Sequence, residues 1–109
     1  MNWRIRYLKE VERDLDKLDG SQVIRVRKAI AKTQQNPLPR SKGGYGIELG
    51  NKGNVNLTGY LEIKLRGEGL RVIYKLVQTK TEMLIIIIGA REGEEVYDDA
   101  DERIKLYRL

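Results

Sequence analysis

The sequence predicts an α+β domain with helices packed on one face of a twisted sheet. Three observations carry that expectation: a period-2 stretch at the amino terminus, two helical stripes ended by a Pro-x-Pro segment, and three strand-like segments in succession in the second half. At 109 residues the chain is expected to be one domain spanning 1–109, long enough to bury a real core and to present one principal surface.

Trp3, Ile5 and Tyr7 alternate with Arg4 and Arg6, the signature of a half-buried N-terminal strand. From about Lys9 the period lengthens, and Leu8, Val11, Leu15 and Leu18 fall on one helical stripe. At Asp19-Gly20-Ser21 one helix is expected to end and a second to begin, because Gly accepts the left-handed closing conformation and Ser can cap the next amino terminus. The second helix, Gln22 to about Gln35, turns Val23, Val26 and Ile30 inward, which makes a two-helix hairpin. Asn36-Pro37-Leu38-Pro39 stops it, since proline lacks the amide hydrogen and disfavours helix in the residue before it. Arg40 to Asn56, rich in Gly, Lys and Asn, reads as a long loop with room for a short strand around Tyr45, Ile47 and Leu49. Tyr60 to Arg66 and Leu70 to Gln78 flank the turn Gly67-Glu68-Gly69 and, with Glu82 to Gly89, predict a three-stranded antiparallel meander. Its last strand carries Ile85 to Ile88 and is apolar enough to be covered on both faces. Asp98 to Leu109 is expected to be a short C-terminal helix with Ala100, Ile104 and Tyr107 on its apolar side.

Composition narrows the chemistry. With neither cysteine nor histidine, the chain has no disulfide, thiolate nucleophile or imidazole base, so any reaction must use Lys, Arg, Tyr, Asp or Glu, and no metal is expected. No window is apolar enough to span a bilayer and no signal-peptide order opens the chain, so a cytoplasmic protein without membrane contact is expected. Residues 1–35 hold nine cations against five acids, 36–75 seven against three, and 76–109 five against eight, or +4, +4 and −3. A basic first two thirds suits a polyanion, because neutralising phosphates releases counterions; a solvated surface is the plain alternative.

The densest cluster of cations lies in the hairpin. Glu62, Lys64 and Arg66 share one face of their strand, and Arg71 and Lys75 share a face of its partner. If the apolar faces match, the cations gather on one surface, with Arg91 and Tyr97 brought to its edge by the segment after the third strand. Such cations repel unless an anion lies among them, and phosphate fits the fork of Arg and the point charge of Lys. Alternating charge is also what the solvated face of a sheet displays.

The ordered set Ile63-Lys64-Leu65-Arg66, Gly69-Leu70-Arg71-Val72-Ile73-Tyr74, an aliphatic strand, Gly89-x-Arg91-Glu92 and Glu95-Val96-Tyr97 before a terminal helix resembles the RelE toxins of the RelE/ParE superfamily. The resemblance covers nearly the whole chain in element order and residues 57–104 in motif detail. It implies the toxin of a toxin–antitoxin pair, an endoribonuclease that cuts messenger RNA in the ribosomal A site without metal or organic cofactor. It also implies an antitoxin that wraps the toxin, covering its basic surface or displacing the terminal helix. Carried over by position, Lys64, Arg71, Arg91 and Tyr97 match the cleaving set, while Glu62 stands where those toxins have a first lysine. Arg66, Arg40, Lys42 and Lys52 are expected to contact RNA backbone. A ParE-like inhibitor of DNA gyrase, which cleaves nothing, and a catalytically weakened toxin that keeps antitoxin binding are the alternatives within the resemblance.

RNA cleavage without metal must deprotonate a 2′-hydroxyl, stabilise charge on the attacked phosphate and protonate the leaving 5′-oxygen. Crowded cations favour an unprotonated Lys64 and an ionised Tyr97, so either can act as base, while Arg71 and Arg91 hold the phosphate. Tyr97 can instead stack on a base. Glu62 has three readings: a carboxylate paired with Arg66 or a neighbouring strand, a direct general base, or a charge that repels phosphate. Glu48, in the glycine-rich loop, is a second candidate carboxylate.

Overall fold

A computed structural model describes residues 2–109. Strand β1 (Arg4–Tyr7) leads into α1 (Glu10–Asp16) and α2 (Gly20–Gln34), and α3 (Glu95–Tyr107) closes the chain. Between them lie the short strands β2 (Ile47–Glu48), β3 (Asn51–Lys52) and β4 (Val55–Asn56) and the long strands β5 (Leu61–Leu65), β6 (Leu70–Val77) and β7 (Glu82–Ala90). The main sheet runs β1-β7-β6-β5-β2, with β1 parallel to β7 and β5-β6-β7 the expected antiparallel meander; β3 and β4 form a separate hairpin. The α+β class and the element order agree with the sequence reading. No helix of the described residues is long and apolar enough to cross a membrane.

Three details differ. Asp19, not Ser21, caps α2: its carboxylate accepts from the Gln22 amide at 2.8 Å while the Gln22 side chain accepts from the Asp19 amide at 3.1 Å. This reciprocal box places Gly20 inside the helix instead of at a left-handed close. The loop after α2 holds three two-residue strands and a 3-10 turn at Arg40–Lys42, where one strand was expected. Finally, the helical hairpin and α3 lie on different faces of the sheet. Register sets Lys64 beside Arg71 and Arg71 beside Gly89, so Glu62 and Gly89 share a face. Val96 of α3 packs so closely on Gly89 that an added Cβ would lie 3.1 Å from its methyl group, whereas α2 lies along β5 and shares a cleft with Ile63, which points to the opposite face. The meander is apolar on both faces, and each needs a cover.

The edge of β7 explains how the two layers are tied. Beyond Tyr7, β1 ends, and the β6–β7 register passes from Tyr74–Ile85 to Ile73–Ile87, leaving Ile86 as an extra residue. The Ile86 carbonyl and Ile88 amide then face no strand. Arg103 of α3 donates to the Ile86 carbonyl at 2.9 Å, and Asp14 of α1 accepts from the Ile88 amide at 3.0 Å. Arg103 and Asp14 also grip each other through two parallel bonds of 2.7 and 2.8 Å. Asp14 is only 5% exposed. Asp14→Ala is expected to destabilise the protein by about 3 kcal/mol, because it strands a partly buried guanidinium and a buried amide. Urea unfolding should also find that adding Arg103→Ala to Asp14→Ala costs less than the sum of the single changes.

Candidate functional site

Beneath the first turn of α3, three polar groups meet inside the protein. Glu62 is 1% exposed, Tyr97 3% and Arg71 5%. The Tyr97 hydroxyl donates to Glu62 Oε1 at 2.9 Å, and Arg71 Nε lies 3.7 Å from the same oxygen. Arg71 also donates through Nη1 to the Leu70 carbonyl at 2.9 Å. Its Nε has no hydrogen-bond acceptor among the described residues. Burial of this kind is tolerable because opposite charges and a phenol satisfy most of one another's needs.

Local sequence explains why these groups meet. Glu62 lies on β5 opposite Ile73 of β6, and Arg71 two residues earlier on β6 is opposite Lys64, so the period-2 pattern puts all three charges on one face. Tyr97 arrives because Gly93 and Glu94 both adopt left-handed conformations, with φ of 70° and 59°, which turns α3 back over the sheet. Glu94 is a residue type that rarely takes this conformation, and α3 begins at Glu95, three residues earlier than Asp98. The Lys52 ammonium of the β3–β4 hairpin stands 5.1 Å above the centre of the Tyr97 ring, a cation–π contact that adds to the cover.

Strand register sets Lys64, half-buried, beside Arg71 on the face that alternation predicts. Arg66 leaves the strand in the 3-10 turn Arg66–Glu68 and, with Arg40, lines a cleft against α2. Arg91 is exposed just past the end of β7; its amide donates to the Gly69 carbonyl at 2.9 Å, and its side chain has no ion pair among the described residues. Lys42 is exposed on the Arg40–Lys42 turn, and Glu48 accepts from Ser41 Oγ at 2.6 Å, apart from the buried cluster. Glu62 is paired, as one reading of the sequence had it, with the neighbouring strand, through Arg71, and also with Tyr97; Arg66 is not its partner. Lys32 and Tyr45, which line the cleft with Arg40 and Arg66, were not among the expected RNA-contacting residues; the only functional signal was an aromatic between two glycines.

The electrostatics of Tyr97 run against an ionised phenol. Burial raises its pKa above the ordinary value, the Glu62 carboxylate that accepts its proton adds to the rise, and Arg71 opposes it. Tyr97 is therefore a neutral hydroxyl aimed at a carboxylate, suited to passing a proton on. Because the fold favours the neutral phenol, the unfolded chain releases that proton first; the stabilisation is whole below about pH 10 and is lost as pH rises beyond it. Tyr97→Phe should cost about 1–3 kcal/mol at neutral pH by leaving buried Glu62 short of a donor. Unfolding midpoints measured from pH 8 upward should then fall less steeply above pH 10 in this variant than in the wild type.

No family model matches the chain. A putative RelE-like toxin protein of Escherichia coli is 26% identical over 105 residues, covering 96% of this chain and all of the relative. The mRNA interferase toxin RelE of E. coli K12 is 42% identical over 43 residues, which span 39% of this chain and 45% of that protein. Among solved structures, a free-state mutant of the E. coli RelE toxin matches with a TM-score of 0.72 at 22% identity, over 95% of this chain and 99% of that one. An E. coli RelE mutant in complex with a peptide of the antitoxin RelB matches at 0.66 and 21% identity, over 92% of this chain and 95% of that one.

Proposed function

On the premise that this chain is a homologue of the RelE-type toxins and has their fold, we propose that it is the toxin of a toxin–antitoxin pair and an endoribonuclease that cuts messenger RNA in the ribosomal A site. The observation that carries this reading is Arg71: a buried guanidinium beside Lys64 and under Tyr97, with an Nε that lacks an acceptor. A phosphate oxygen at that point completes it. Arg71 and Lys64 hold the scissile phosphate, and Arg91, free at the end of β7, meets it or its neighbour from the rim. The 2′-hydroxyl gives its proton to Tyr97 as Tyr97 passes its own to Glu62; the 2′-oxygen then bonds to phosphorus while the bond to the 5′-oxygen breaks. Lys64 protonates that leaving oxygen, so the products are a 2′,3′-cyclic phosphate and a 5′-hydroxyl. Lys42 and Lys52, with Arg40 and Arg66, engage the RNA backbone.

The cluster is covered by α3 and the β3–β4 hairpin in the free chain, so activity needs a partner that moves Lys52 and the start of α3. The ribosome is that partner in this reading, and positioning by it offsets a poor set of acids and bases. The antitoxin is expected to act on the same elements from the other direction. Closure of Glu62 on Arg71 and Tyr97 also favours a second reading, a toxin whose Glu62 holds the site shut.

Ribosomes programmed with a defined message and mixed with purified protein test both readings. The wild type is expected to cut within the A-site codon, and Lys64→Ala and Arg91→Ala to slow cutting by about 10²–10³-fold. Glu62→Gln keeps the acceptor for Tyr97 but not the base: slower cutting supports the proton-accepting role, and faster cutting supports the shut site. Growth arrest on expression with no new transcript ends would overturn the nuclease reading, and gyrase-linked DNA breaks would replace it with the ParE-like one.

A further inference from the structure

β2 pairs with β5 only as far as Glu62, so the end of β5 has a free edge, and a cleft of about 240 Å3 opens between it and α2. We propose that this cleft is a second nucleic-acid subsite, which seats one unpaired base and the phosphates flanking it next to the scissile position. The proposal rests on the RNA reading above and deepens it: Arg40, Lys64 and Arg66 already serve that reading, and Lys32 and Tyr45, which it does not use, turn their cleft into a seat for a base.

Charge is the first argument. Lys32, Arg40, Lys64 and Arg66 all line the cleft, and no acid does. None of the four has an ion pair among the described residues, although Arg25, Arg103 and Lys105 elsewhere each find a carboxylate within 3.0 Å. Four unpaired cations around one opening repel one another and are relieved by phosphate.

Shape is the second. Ile63 and Ala29 contribute apolar lining, and Tyr45, 46% exposed, stands at the cleft with the Lys32 ammonium 5.3 Å from its ring centre. The turn that presents Tyr45 is pinned: its amide donates to the Asn36 carbonyl at 2.9 Å, and the Gly46 amide to the Leu38 carbonyl at 3.0 Å. Gly44 is pressed against the Leu38 backbone so closely that no side chain fits there. An exposed aromatic ring presented by a pinned turn, with cations around it, is the arrangement on which unpaired bases stack. The volume is below the roughly 300–1,000 Å3 of a drug-sized pocket and suits a single base. Lys64 belongs to both the cleft and the Arg71 row, so a strand leaving the scissile phosphate meets the cleft without a gap in cationic contact.

Affinity for a single-stranded 12-mer of 2′-O-methyluridine, which has no free hydroxyl with which to be cut, tests the subsite by fluorescence anisotropy across a salt series. Tyr45→Ala is expected to weaken binding about ten-fold with an unchanged salt slope, and Tyr45→Trp to restore it. Lys32→Ala with Arg40→Ala is expected to reduce the slope by about 1.4, the share of two phosphates on a single strand. A duplex of the same length should bind with no dependence on Tyr45. Wild-type affinity in Tyr45→Ala and in the Lys32/Arg40 double variant overturns the proposal, as does an acidic peptide that displaces the RNA while Tyr45→Ala binds RNA normally, which assigns the cleft to a protein partner. The outcomes separate from those of the nuclease reading: Tyr45-dependent binding without ribosomal cutting leaves the subsite standing and the activity overturned, and ribosomal cutting with Tyr45-independent binding does the reverse.

Discussion

The open edge of β7 is the constraint on which the rest of the molecule depends. Once β1 ends at Tyr7, β7 has backbone groups that no neighbouring strand can satisfy, and buried groups of that kind must find partners. The bulge at Ile86 turns its carbonyl to that edge, and Asp14 and Arg103 come from opposite layers to take up the exposed groups. A single ion pair therefore completes the sheet and fixes α1 and α3 to it at the same point. The apolar stripe of α3 supplies affinity for the sheet, but stripes tolerate sliding; the two-toothed grip of Arg103 on Asp14 sets where α3 stops.

Where α3 stops decides the chemistry. Arg103 lies near the end of the helix and Tyr97 near its start, so a helix anchored at one end delivers the phenol to Glu62 at the other. The consequence is a site whose charges are satisfied internally. Glu62, Arg71 and Tyr97 form a set that is stable while covered, and an incoming phosphate must compete with Glu62 for Arg71. In the proposed nuclease reading, that competition is the physical reason activity would depend on a large partner, since a free RNA strand brings little energy with which to move the β3–β4 hairpin and the helix start. The cations outside the cluster are arranged differently: those of the α2–β5 cleft and Arg91 have no carboxylate partners, and remain available for phosphate at no cost in broken pairs.

Legibility from sequence varied with the range of the interaction involved. The strand of Trp3 to Leu8, the helical hairpin and the meander were all readable, because side-chain period and proline are local signals. The cap of α2 was misread by two residues: Asp19 and Ser21 both satisfy the preference for a capping oxygen, and only Gln22 three residues after Asp19 separates them. In the site, the common face of Glu62, Lys64 and Arg71 followed from alternation and register. The departure of Arg66 did not, because it depends on the 3-10 turn that ends β5. Asp14 carried no signal at all: it reads as one more acid on a charged helix, and its role arises from an edge 74 residues further along the chain.

By itself the sequence determined the order and kind of the elements, the excess of cations in its first two thirds, the restriction of any chemistry to Lys, Arg, Tyr, Asp and Glu, and the placing of Glu62 among cations. The tertiary structure alone decided which face α3 covers, that Glu62 is buried against Arg71 and Tyr97, and that Tyr97 is a neutral phenol hydrogen-bonded to Glu62. The physical reason is that alternation tells which side chains share a face but not what lies over it. Burial, and with it the cost of a charge, depends on that cover, and here the phenol over Glu62 comes from Tyr97, 35 positions further along the chain.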